Sequence, residues 1–279
     1  MLRVMTWNIR TGGRDRGGPD RLDLVTGVIA AERPDLLALQ ELRDFDRGGL
    51  LDDVAGRVGM RPHLARSCFG QPVAVLVRPP LRVRHAAAVR RPFHHATARV
   101  VVDTSAGPLT VFSTHLSPYS GGRRRMEADW LAAAVRRADW LAAAVRRAGG
   151  ELTLLAGDLN TLDPAVDHTA RLAGLSAHYR RRHLRRDGRT VDTRAVSRLL
   201  AAGLVDLWPL RAGAAPDADG LTVPTRHGGA EFSGMRLDYL LGSARLAALT
   251  RQVRVVRGGD ADHASDHYPV VAELALEPA

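Results

Sequence analysis

The most constraining feature of the chain is an apolar run that ends in two polar residues, Asp158 and Asn160. The run spans residues 152–156, has the length of a buried strand, and is stopped by Gly157. Because side chains alternate between the two faces of a strand, Asp158 and Asn160 share a face at the sheet edge. A buried carboxylate there is unfavourable unless it is paired or binds a cation. Asp and Asn are also common in turns, so this stretch alone leaves a turn and an active site equally open.

A chain of 279 residues can bury a large core, either as one α/β domain or as two smaller ones. No Pro- or Gly-rich linker divides it, which favours a single domain over residues 1–279. No stretch approaches the roughly 18 apolar residues of a membrane span, and residues 1–8 look like a strand rather than a signal peptide. The single cysteine, Cys68, excludes an internal disulfide and fits a reducing compartment. We therefore expect a monomeric, cytoplasmic protein without a membrane span.

The charge of the chain is strongly positive, with a formal net charge of +10 carried entirely by arginine and no lysine. A basic balance of this size indicates nucleic acid as a partner. However, an excess of Arg, Ala and Gly is also typical of a GC-rich coding sequence. Two clusters, at residues 123–125 and 180–186, are more informative because they are dense enough to attract polyanions. A solvated arginine-rich face is an equally good interpretation of both.

Periodicity and turn residues predict alternating strands and helices along most of the chain. Asp20 is a candidate cap for the first helix, residues 164–194 give no clear pattern, and residues 211–234, rich in Gly, Ala and Pro, are predicted to be a loop. The predicted helices span residues 22–32, 50–58 and 193–202. The predicted strands span residues 2–9, 36–41, 73–77, 82–89, 96–102, 109–114, 237–241, 253–256 and 270–276.

A further long helix is predicted over residues 123–148, where residues 128–137 recur unchanged at 138–147. Ten residues are not a whole number of helical turns, so the second copy is rotated by roughly 80°. We interpret the repeat as a duplication that lengthens a surface helix by about 15 Å; an element that binds a membrane or a partner is the alternative. The predicted apolar stripe consists of Met126, Trp130, Ala134, Ala138, Leu141 and Val145.

Acids, amides and histidines stand at the ends of many predicted strands and in the turns that follow them. Taken singly, each is equally well explained as a cap, a turn or a surface residue. Together, however, they repeatedly terminate apolar runs. Hard oxygen ligands such as Glu41 and Asp266 suit Mg²⁺ or Mn²⁺ rather than zinc, and a single cysteine argues against a thiolate site. The residues concerned are Asn8, Glu41, His115, Asp158, Asn160, Asp238, Asp266 and His267.

Six short motifs contain these residues and span nearly the whole chain. They are Thr-Trp-Asn-Ile at 6–9, Leu-Gln-Glu at 39–41, Thr-His-Leu at 114–116, Gly-Asp-Leu-Asn at 157–160, Arg-Leu-Asp-Tyr-Leu-Leu at 236–241 and Ser-Asp-His-Tyr-Pro-Val at 265–270. In this order they resemble the motif set of the endonuclease/exonuclease/phosphatase superfamily, the deoxyribonuclease I-like, metal-dependent phosphoesterases. The resemblance implies an α/β fold of the α+β kind, a four-layer sandwich in which two packed mixed β-sheets are flanked by helices.

The resemblance also implies a metal site that holds Mg²⁺, with Mn²⁺ as an alternative. Asn8 and Glu41 match the Asn and Glu of that site. Asp266 matches the further metal-linked acid that precedes the final His of the family pattern. A hard cation on Glu41 and Asp266 would polarise a non-bridging oxygen of a phosphate ester.

The remaining matches carry the catalytic roles. Asp158 matches the residue that orients or deprotonates the attacking water, and Asn160 matches a neighbour that holds water or phosphate. His267 matches the histidine that contacts the scissile phosphate, Asp238 the acid that pairs with it, and His115 a second phosphate-facing histidine. An acid beside His267 would favour the imidazolium form, which is a good donor to the charge that develops on the phosphoryl group.

The sequence departs from the family pattern before Thr-His-Leu, where many members have an arginine at the start of the strand. His94, His95 and Arg99 compete for that place and the alignment does not choose between them. Tyr119 is a candidate for the active-site tyrosine of some branches.

The substrate stays open. A nuclease is favoured by the arginine clusters, whereas an enzyme acting on a nucleotide, a metabolite or a lipid head group would leave those clusters as surface solvation. An inactive binding or scaffold protein of the same fold is the third interpretation. Loss of metal-binding or water-activating residues would indicate it, and none of the eight matched residues is lost.

Overall fold

A computed structural model describes residues 1–143, 152–211 and 220–279. The strands in these parts of the chain are β1 (Leu2–Asn8), β2 (Leu36–Gln40), β3 (Arg61–Ala65), β4 (Val73–Val77), β5 (Val83–Ala88), β6 (Thr97–Val102), β7 (Leu109–His115), β8 (Leu152–Asp158), β9 (Val205–Asp206), β10 (Asp238–Gly242), β11 (Thr250–Val255) and β12 (Val270–Leu274). They form two six-stranded mixed sheets, with the strand orders β11-β12-β1-β2-β4-β3 and β5-β6-β7-β8-β10-β9.

Helices flank the two sheets. They are α1 (Leu22–Glu32), α2 (Leu50–Arg57), α3 (Gly121–Ala143), α4 (Thr169–Ala173), α5 (Ala177–Arg180), α6 (Arg194–Ala201), α7 (Leu207–Arg211), α8 (Ala244–Leu249) and α9 (Ala261–Ala264), with short 3₁₀ turns at Thr11–Gly13 and Arg181–His183. Two of them, α7 and α8, also contribute to the core between the sheets. The four-layer sandwich expected from the sequence is confirmed. In the described parts of the chain, no helix is both long and apolar enough to cross a membrane.

The central strands are buried on both faces, which explains why they are continuous apolar runs rather than alternating patterns. In β8, Leu154 faces the core between the two sheets, where Val4 of β1 also lies. The next residue, Leu155, faces outward into a separate cluster with Leu131 of α3 and Leu199 of α6. The outer face of the first sheet packs in the same way on α1 and α2. A strand in such a sandwich exposes polar side chains only at its ends.

Strand register brings those ends together. β7 and β8 are parallel, and His115 is the partner of Asp158 at their common end. β10 is antiparallel to β8, and Asp238 at its start is also opposite Asp158. In the other sheet, Asn8 at the end of β1 is opposite Gln40, the residue before Glu41. The polar residues therefore meet at one edge of the sandwich.

Most predicted elements are confirmed, with boundaries within three residues of the observed ones. Asp20 does cap α1, because its carboxylate accepts the Leu22 N–H at 2.9 Å. Sequence patterns did not predict β3, an edge strand that contains Pro62 and is largely half-buried, or the two-residue β9 and the short helix α8. The unpatterned stretch 164–194 contains α4, α5 and a 3₁₀ turn.

The predicted apolar stripe of α3 is partly confirmed, because Trp130 and Ala134 are partly buried against the apolar cluster of the second sheet. Of the other stripe residues, the side chains of Ala138, Leu141 and Val145 lie outside the described part of the chain, and Met126 departs from the stripe. Met126 is 38% exposed. The side chains of α3 that are buried are Arg124, Glu127, Ala128, Leu131, Ala132 and Val135. Two polar anchors set this register: Glu127 accepts the backbone N–H groups of His94 and Ser117, and Arg124 donates to the Ser117 carbonyl. The part of the repeat at residues 144–147 lies outside the described residues.

Strands β7 and β8 approach most closely at Gly157. Its φ is +147°, and a Cβ built there would lie 1.9 Å from the Thr114 carbonyl oxygen. Only glycine adopts this backbone conformation readily. Gly157 thus sets the alignment of His115 with Asp158, the next pair of the ladder.

We expect Gly157→Ala to lower the free energy of unfolding by more than the roughly 1–3 kcal/mol of backbone strain, because the methyl group also collides with the Thr114 carbonyl. Gly56→Ala is the matched control, since Gly56 lies in α2 with open space around it; a gain of about 0.4–1 kcal/mol is expected there. Urea denaturation followed by circular dichroism measures both. Equal stability of the two variants would contradict the assigned close approach.

Candidate active site

Asp158 lies at the centre of the polar cluster at the sheet edge. Its Oδ2 accepts a hydrogen bond from Asn8 Nδ2 at 3.0 Å and lies 3.3 Å from His115 Nε2 and 3.8 Å from His267 Nε2. Its Oδ1 accepts the Asn160 N–H at 2.8 Å. Residues from both sheets therefore converge on one buried carboxyl group. The structure brings all eight residues singled out from the sequence into this neighbourhood.

Asn8 connects the two sheets. Its Nδ2 donates to Asp158 and also to Glu41 Oε1 at 3.1 Å. Its Oδ1 accepts the Arg10 N–H at 3.0 Å, so the orientation of the amide is fixed from both ends. Its backbone carbonyl accepts the Ser265 hydroxyl at 2.6 Å. The amide thus donates to two carboxyl groups that lie at the ends of strands of different sheets, and such bonds to charged acceptors are strong.

Glu41 is held as a carboxylate. It has a φ of +59°, an uncommon conformation for a non-glycine residue, and its Oε2 accepts the Thr11 N–H and Gln71 Nε2, both at 2.9 Å. Burial raises the pKa of Glu41, but hydrogen bonds from Thr11 and Asn8 and the nearby His95 lower it overall. The strained backbone thus presents a charged oxygen group to the site.

Asp266 is the second acid on this side of the cluster. Its Oδ2 lies 3.3 Å from an Arg10 guanidinium nitrogen, and its Oδ1 accepts the Ser265 hydroxyl at 3.3 Å. Burial raises the pKa of Asp266, and the charge of Glu41 raises it further against the opposing charge of His267. The charges of Glu41 and Asp266 therefore repel each other, which a bound cation would relieve.

His267 and Asp238 form a buried pair, with Nδ1 and Oδ2 2.8 Å apart. The His267 carbonyl accepts the Trp7 indole N–H at 2.8 Å, which fixes the backbone. Burial lowers the pKa of His267, but the charges of Asp238 and Asp158 outweigh this and raise it well above its usual value. The imidazole is thus held in its charged form.

The pKa of Asp158 moves the other way from that of Glu41. Burial raises it to about 7, with the Asp238 charge adding to the effect and the His267 charge opposing it. A carboxyl group with this pKa exchanges a proton near neutral pH.

His115 is stacked face to face on His95, with ring centroids 3.8 Å apart and ring planes 5° apart. Asn160 Nδ2 donates to the Leu116 carbonyl and to His115 Nε2, so the His115 proton lies on Nδ1. His95 Nδ1 accepts the Gln71 N–H at 2.9 Å, so the His95 proton lies on Nε2. Both of these N–H groups are buried without a partner among the described residues.

Both stacked histidines are neutral. Burial and the neighbouring His115 lower the pKa of His95 to about 2, and burial likewise lowers the pKa of His115 well below its usual value. Buried donors without partners are unfavourable, and these two are free to bind an anionic ligand. Of the three residues that competed for the place before Thr-His-Leu, His95 is the one that reaches the site. Its role was not predictable because Gln71, from another loop, orients its ring.

The donor set suits a hard divalent cation. Four carboxylates converge on the site, whereas the cations beside them are Arg10 and the imidazolium of His267. Asp158, Asp238 and His267 each offer a ligand atom within 4.8 Å of the others. However, a histidine must lose its proton to bind a metal, and the two acids hold the proton on His267. Oxygen atoms of Asn8, Glu41 and Asp266 are the better candidates.

A sandwich of two mixed sheets with acids and histidines at a common edge is the architecture of the deoxyribonuclease I-like phosphoesterases. Residues 5–267 match the sequence model of the Endonuclease/Exonuclease/phosphatase family, and the chain belongs to this family. The members of the family are hydrolases that act on phosphate esters. A comparison with curated proteins finds no match.

Solved structures agree on the fold. The chain is similar to an AP endonuclease from Archaeoglobus fulgidus, with 18% identity, a TM-score of 0.69, and coverage of 98% of this chain and 99% of that one. It is also similar to truncated TDP2 from Caenorhabditis elegans, with 19% identity, a TM-score of 0.65 and coverage of 100% and 98%. The 3′ phosphatase NExo from Neisseria, bound to a product DNA hairpin, gives 19% identity, a TM-score of 0.65 and coverage of 98% and 99%.

The bridging amide of Asn8 generates a stability prediction. Asn8→Asp replaces the donor between Glu41 and Asp158 with a third acid, so we expect it to lower the free energy of unfolding in EDTA. A hydrogen bond to a charged group is worth about 1.5–3 kcal/mol, which sets the minimum loss. Gln252→Glu makes the same amide-to-acid change on an exposed strand position and should stay within about 0.5 kcal/mol of wild type. A thermal or urea unfolding series compares them, and equal effects would rule out the bridge.

Proposed function

We propose that the protein is a Mg²⁺-dependent phosphoesterase, which hydrolyses a phosphodiester or phosphomonoester by in-line attack of water. The observation that carries the proposal is the convergence on one edge of a charged Glu41, an imidazolium at His267 and a carboxyl group at Asp158 whose pKa is near neutrality. These groups supply the charge neutralisation and proton transfer that phosphate ester hydrolysis needs.

We assign the metal site to oxygen atoms of Asn8, Glu41 and Asp266, with Mg²⁺ as the resident ion and Mn²⁺ as a substitute. When bound there, the ion supplies Lewis acidity to a non-bridging phosphoryl oxygen. Asn8 holds Glu41 and Asp158 apart, and Arg10 holds Asp266 in place at 3.3 Å.

The other residues act on water and phosphate. Asp158 orients the attacking water and takes up its proton, because its carboxyl group is buried and has a pKa of about 7. His267 donates from Nε2 to the phosphoryl group, while Asp238 holds Nδ1 at 2.8 Å and stabilises the positive charge. His115 and His95 add two neutral N–H donors, and Asn160 orients His115 through its side-chain amide.

An inactive scaffold protein of the same fold is disfavoured, because a scaffold has no need of a buried imidazolium beside two acids. Burying such charges lowers the stability of the fold, and clusters of this kind are typical of catalytic sites.

Metal dependence is tested by chelation and by Glu41→Gln. We expect hydrolysis of a chromogenic phosphodiester to disappear in EDTA and to return with Mg²⁺ or Mn²⁺. Glu41→Gln removes one formal charge from the metal site while keeping its shape, so it should raise the Mg²⁺ concentration needed for half-maximal activity. Glu277→Gln, at an exposed position near the C-terminus, is the control. Wild-type Mg²⁺ dependence in Glu41→Gln would exclude Glu41 as a ligand, and full activity in EDTA would end the mechanism.

The catalytic assignment is tested by two further variants. Asp158→Asn keeps the size of the side chain but no longer takes up a proton, so kcat should fall while Mg²⁺ binding changes little. His267→Ala removes a donor to the developing phosphoryl charge, and losing one such group typically costs roughly 10²–10³ in kcat. His263→Ala removes an exposed histidine and should leave kcat unchanged. Full turnover by either site variant on the substrate of the wild type is incompatible with the proposal.

A further inference from the structure

A basic cavity of about 800 Å³ opens beside the N-terminal end of α3. Its lining includes the arginines Arg125, Arg181, Arg185, Arg186 and Arg194, together with Tyr119, Asp187 and Asp192. The charges of Asp192 and Arg194 cancel, because these two side chains form a bidentate ion pair with N···O distances of 2.6 and 2.8 Å. Asp187 accepts hydrogen bonds from residues of its own loop.

Within the described residues, Arg181, Arg185 and Arg186 form no ion pair within 4.0 Å. Asp187 offsets part of the charge of Arg185, but the lining still holds five arginines against two aspartates, so the cavity keeps an excess of positive charge. The N-terminus of α3 does not add to the positive charge of the cavity, because the Asp192 carboxylate already lies against it. A Cβ built on Gly121 in the first turn of α3 would lie only 2.0 Å from Asp192 Oδ2. A ligand of this cavity must be an anion that arginine side chains bind, and more than one phosphate is needed to balance them.

The cavity lies close to the candidate active site. Tyr119 lines it and follows His115 by four residues, a span of at most roughly 14 Å even in extended chain. Three ring contacts connect the two places: Tyr119 with His94 at 5.4 Å, His94 with His95 at 4.6 Å, and His95 with His115 at 3.8 Å between centroids. A linear ligand with one phosphate at His115 therefore reaches the cavity with a neighbouring part of the same molecule.

Exposed aromatic rings lie along this path. Tyr119 is 66% exposed and Phe69 is 65% exposed, and both lie beside arginines. The Arg182 guanidinium is 5.9 Å from the Tyr119 ring and 4.9 Å from the Tyr179 ring, and Arg123 is 6.0 Å from the Phe69 ring. Aromatic rings interleaved with arginines bind single-stranded nucleic acid, since unpaired bases stack on the rings while the arginines track the phosphates.

We propose that the cavity and the exposed Tyr119 ring bind a single strand of nucleic acid, with the phosphates beyond the scissile one held by Arg181, Arg185 and Arg186. A small bisphosphate would occupy the arginines but make no use of the exposed part of the Tyr119 ring, and a duplex would not offer an unstacked base to that ring. The inference rests on the proposed function only in placing the scissile phosphate near His115 and Asp158. Binding to the cavity is a separate property.

The test measures binding of a fluorescein-labelled single strand of about 12 nucleotides, within the usual site size, in EDTA so that no strand is cleaved. Base stacking on one ring contributes about 1–3 kcal/mol, so Tyr119→Ala should raise Kd by roughly 5- to 150-fold, whereas Tyr119→Phe should stay near wild type. The double variant Arg185→Ala with Arg186→Ala should reduce the slope of log K against log salt by about 0.7 per lost phosphate contact. Circular dichroism checks that each variant is folded.

Arg251→Ala is the matched arginine control. Arg251 is exposed at the start of β11, next to Thr250, which pairs with Leu274 at the sheet edge opposite to that of Asn8. It should leave Kd and the salt slope unchanged. A duplex of the same length should bind more weakly than the single strand, and its affinity should respond little to Tyr119→Ala.

Two results would overturn the inference: a Kd that Tyr119→Ala and the arginine double variant leave unchanged, or equal competition by inorganic pyrophosphate and the strand at matched phosphate concentration. The second result would assign the cavity to small phosphates. Hydrolysis of a chromogenic phosphodiester by the wild type, with Mg²⁺, tests the proposed function separately. If the wild type hydrolyses the phosphodiester but the variants bind the strand as the wild type does, only the proposed nucleic-acid site is refuted. If the variants weaken strand binding but the wild type shows no hydrolysis, only the catalytic proposal is refuted.

Discussion

The whole site depends on one amide placed between two carboxylates. Asn8 Nδ2 donates to Glu41 at 3.1 Å and to Asp158 at 3.0 Å, and these acids belong to different sheets. Without a donor between them, two buried carboxylates would repel each other and one would take up a proton. With the donor, Glu41 keeps a lowered pKa while Asp158 has a pKa raised to about 7. The Asn8 amide lowers the pKa of both acids, and burial together with the Asp238 charge still raises that of Asp158, so the two acids differ in protonation within one pocket.

This arrangement exists because the sandwich ends its strands at a common edge. Burial of both strand faces leaves polar side chains room only at strand ends, and the register set at Gly157 puts His115, Asp158 and Asp238 on three adjacent strands. The packing that stabilises the fold and the geometry that builds the site have the same origin. A change that shifts the register of β8 would therefore damage both together.

The sequence predicted which polar residues lie together at the sheet edge better than it predicted the residues around them. Residues that end apolar runs can be found from pattern and motif, and the structure brings Asn8, Asp158 and the other six together. The sandwich and most element boundaries were also predictable. The role of His95 was not, because it follows from a ring stack and a hydrogen bond from Gln71, which are tertiary contacts. The buried face of α3 was only partly predicted for a similar reason. The buried polar residue Glu127 determines which side of the helix faces the core, through hydrogen bonds to distant backbone groups.

The net charge of +10 is a poor guide to function because arginine has several structural uses in this chain. Arg124 is buried, with burial lowering its pKa to about 10, and donates to backbone carbonyls. Arg236 bridges Asp163 and Asp206, and Arg21 is buried against Asp15. These side chains bind backbone carbonyls or aspartates inside the fold, so their charges are not available to a ligand. What distinguishes Arg181, Arg185 and Arg186 is position: they line one cavity with Tyr119 and form no ion pair within 4.0 Å among the described residues. A positive charge indicates an anionic partner only where the fold leaves it without an ion pair and close to the proposed catalytic residues.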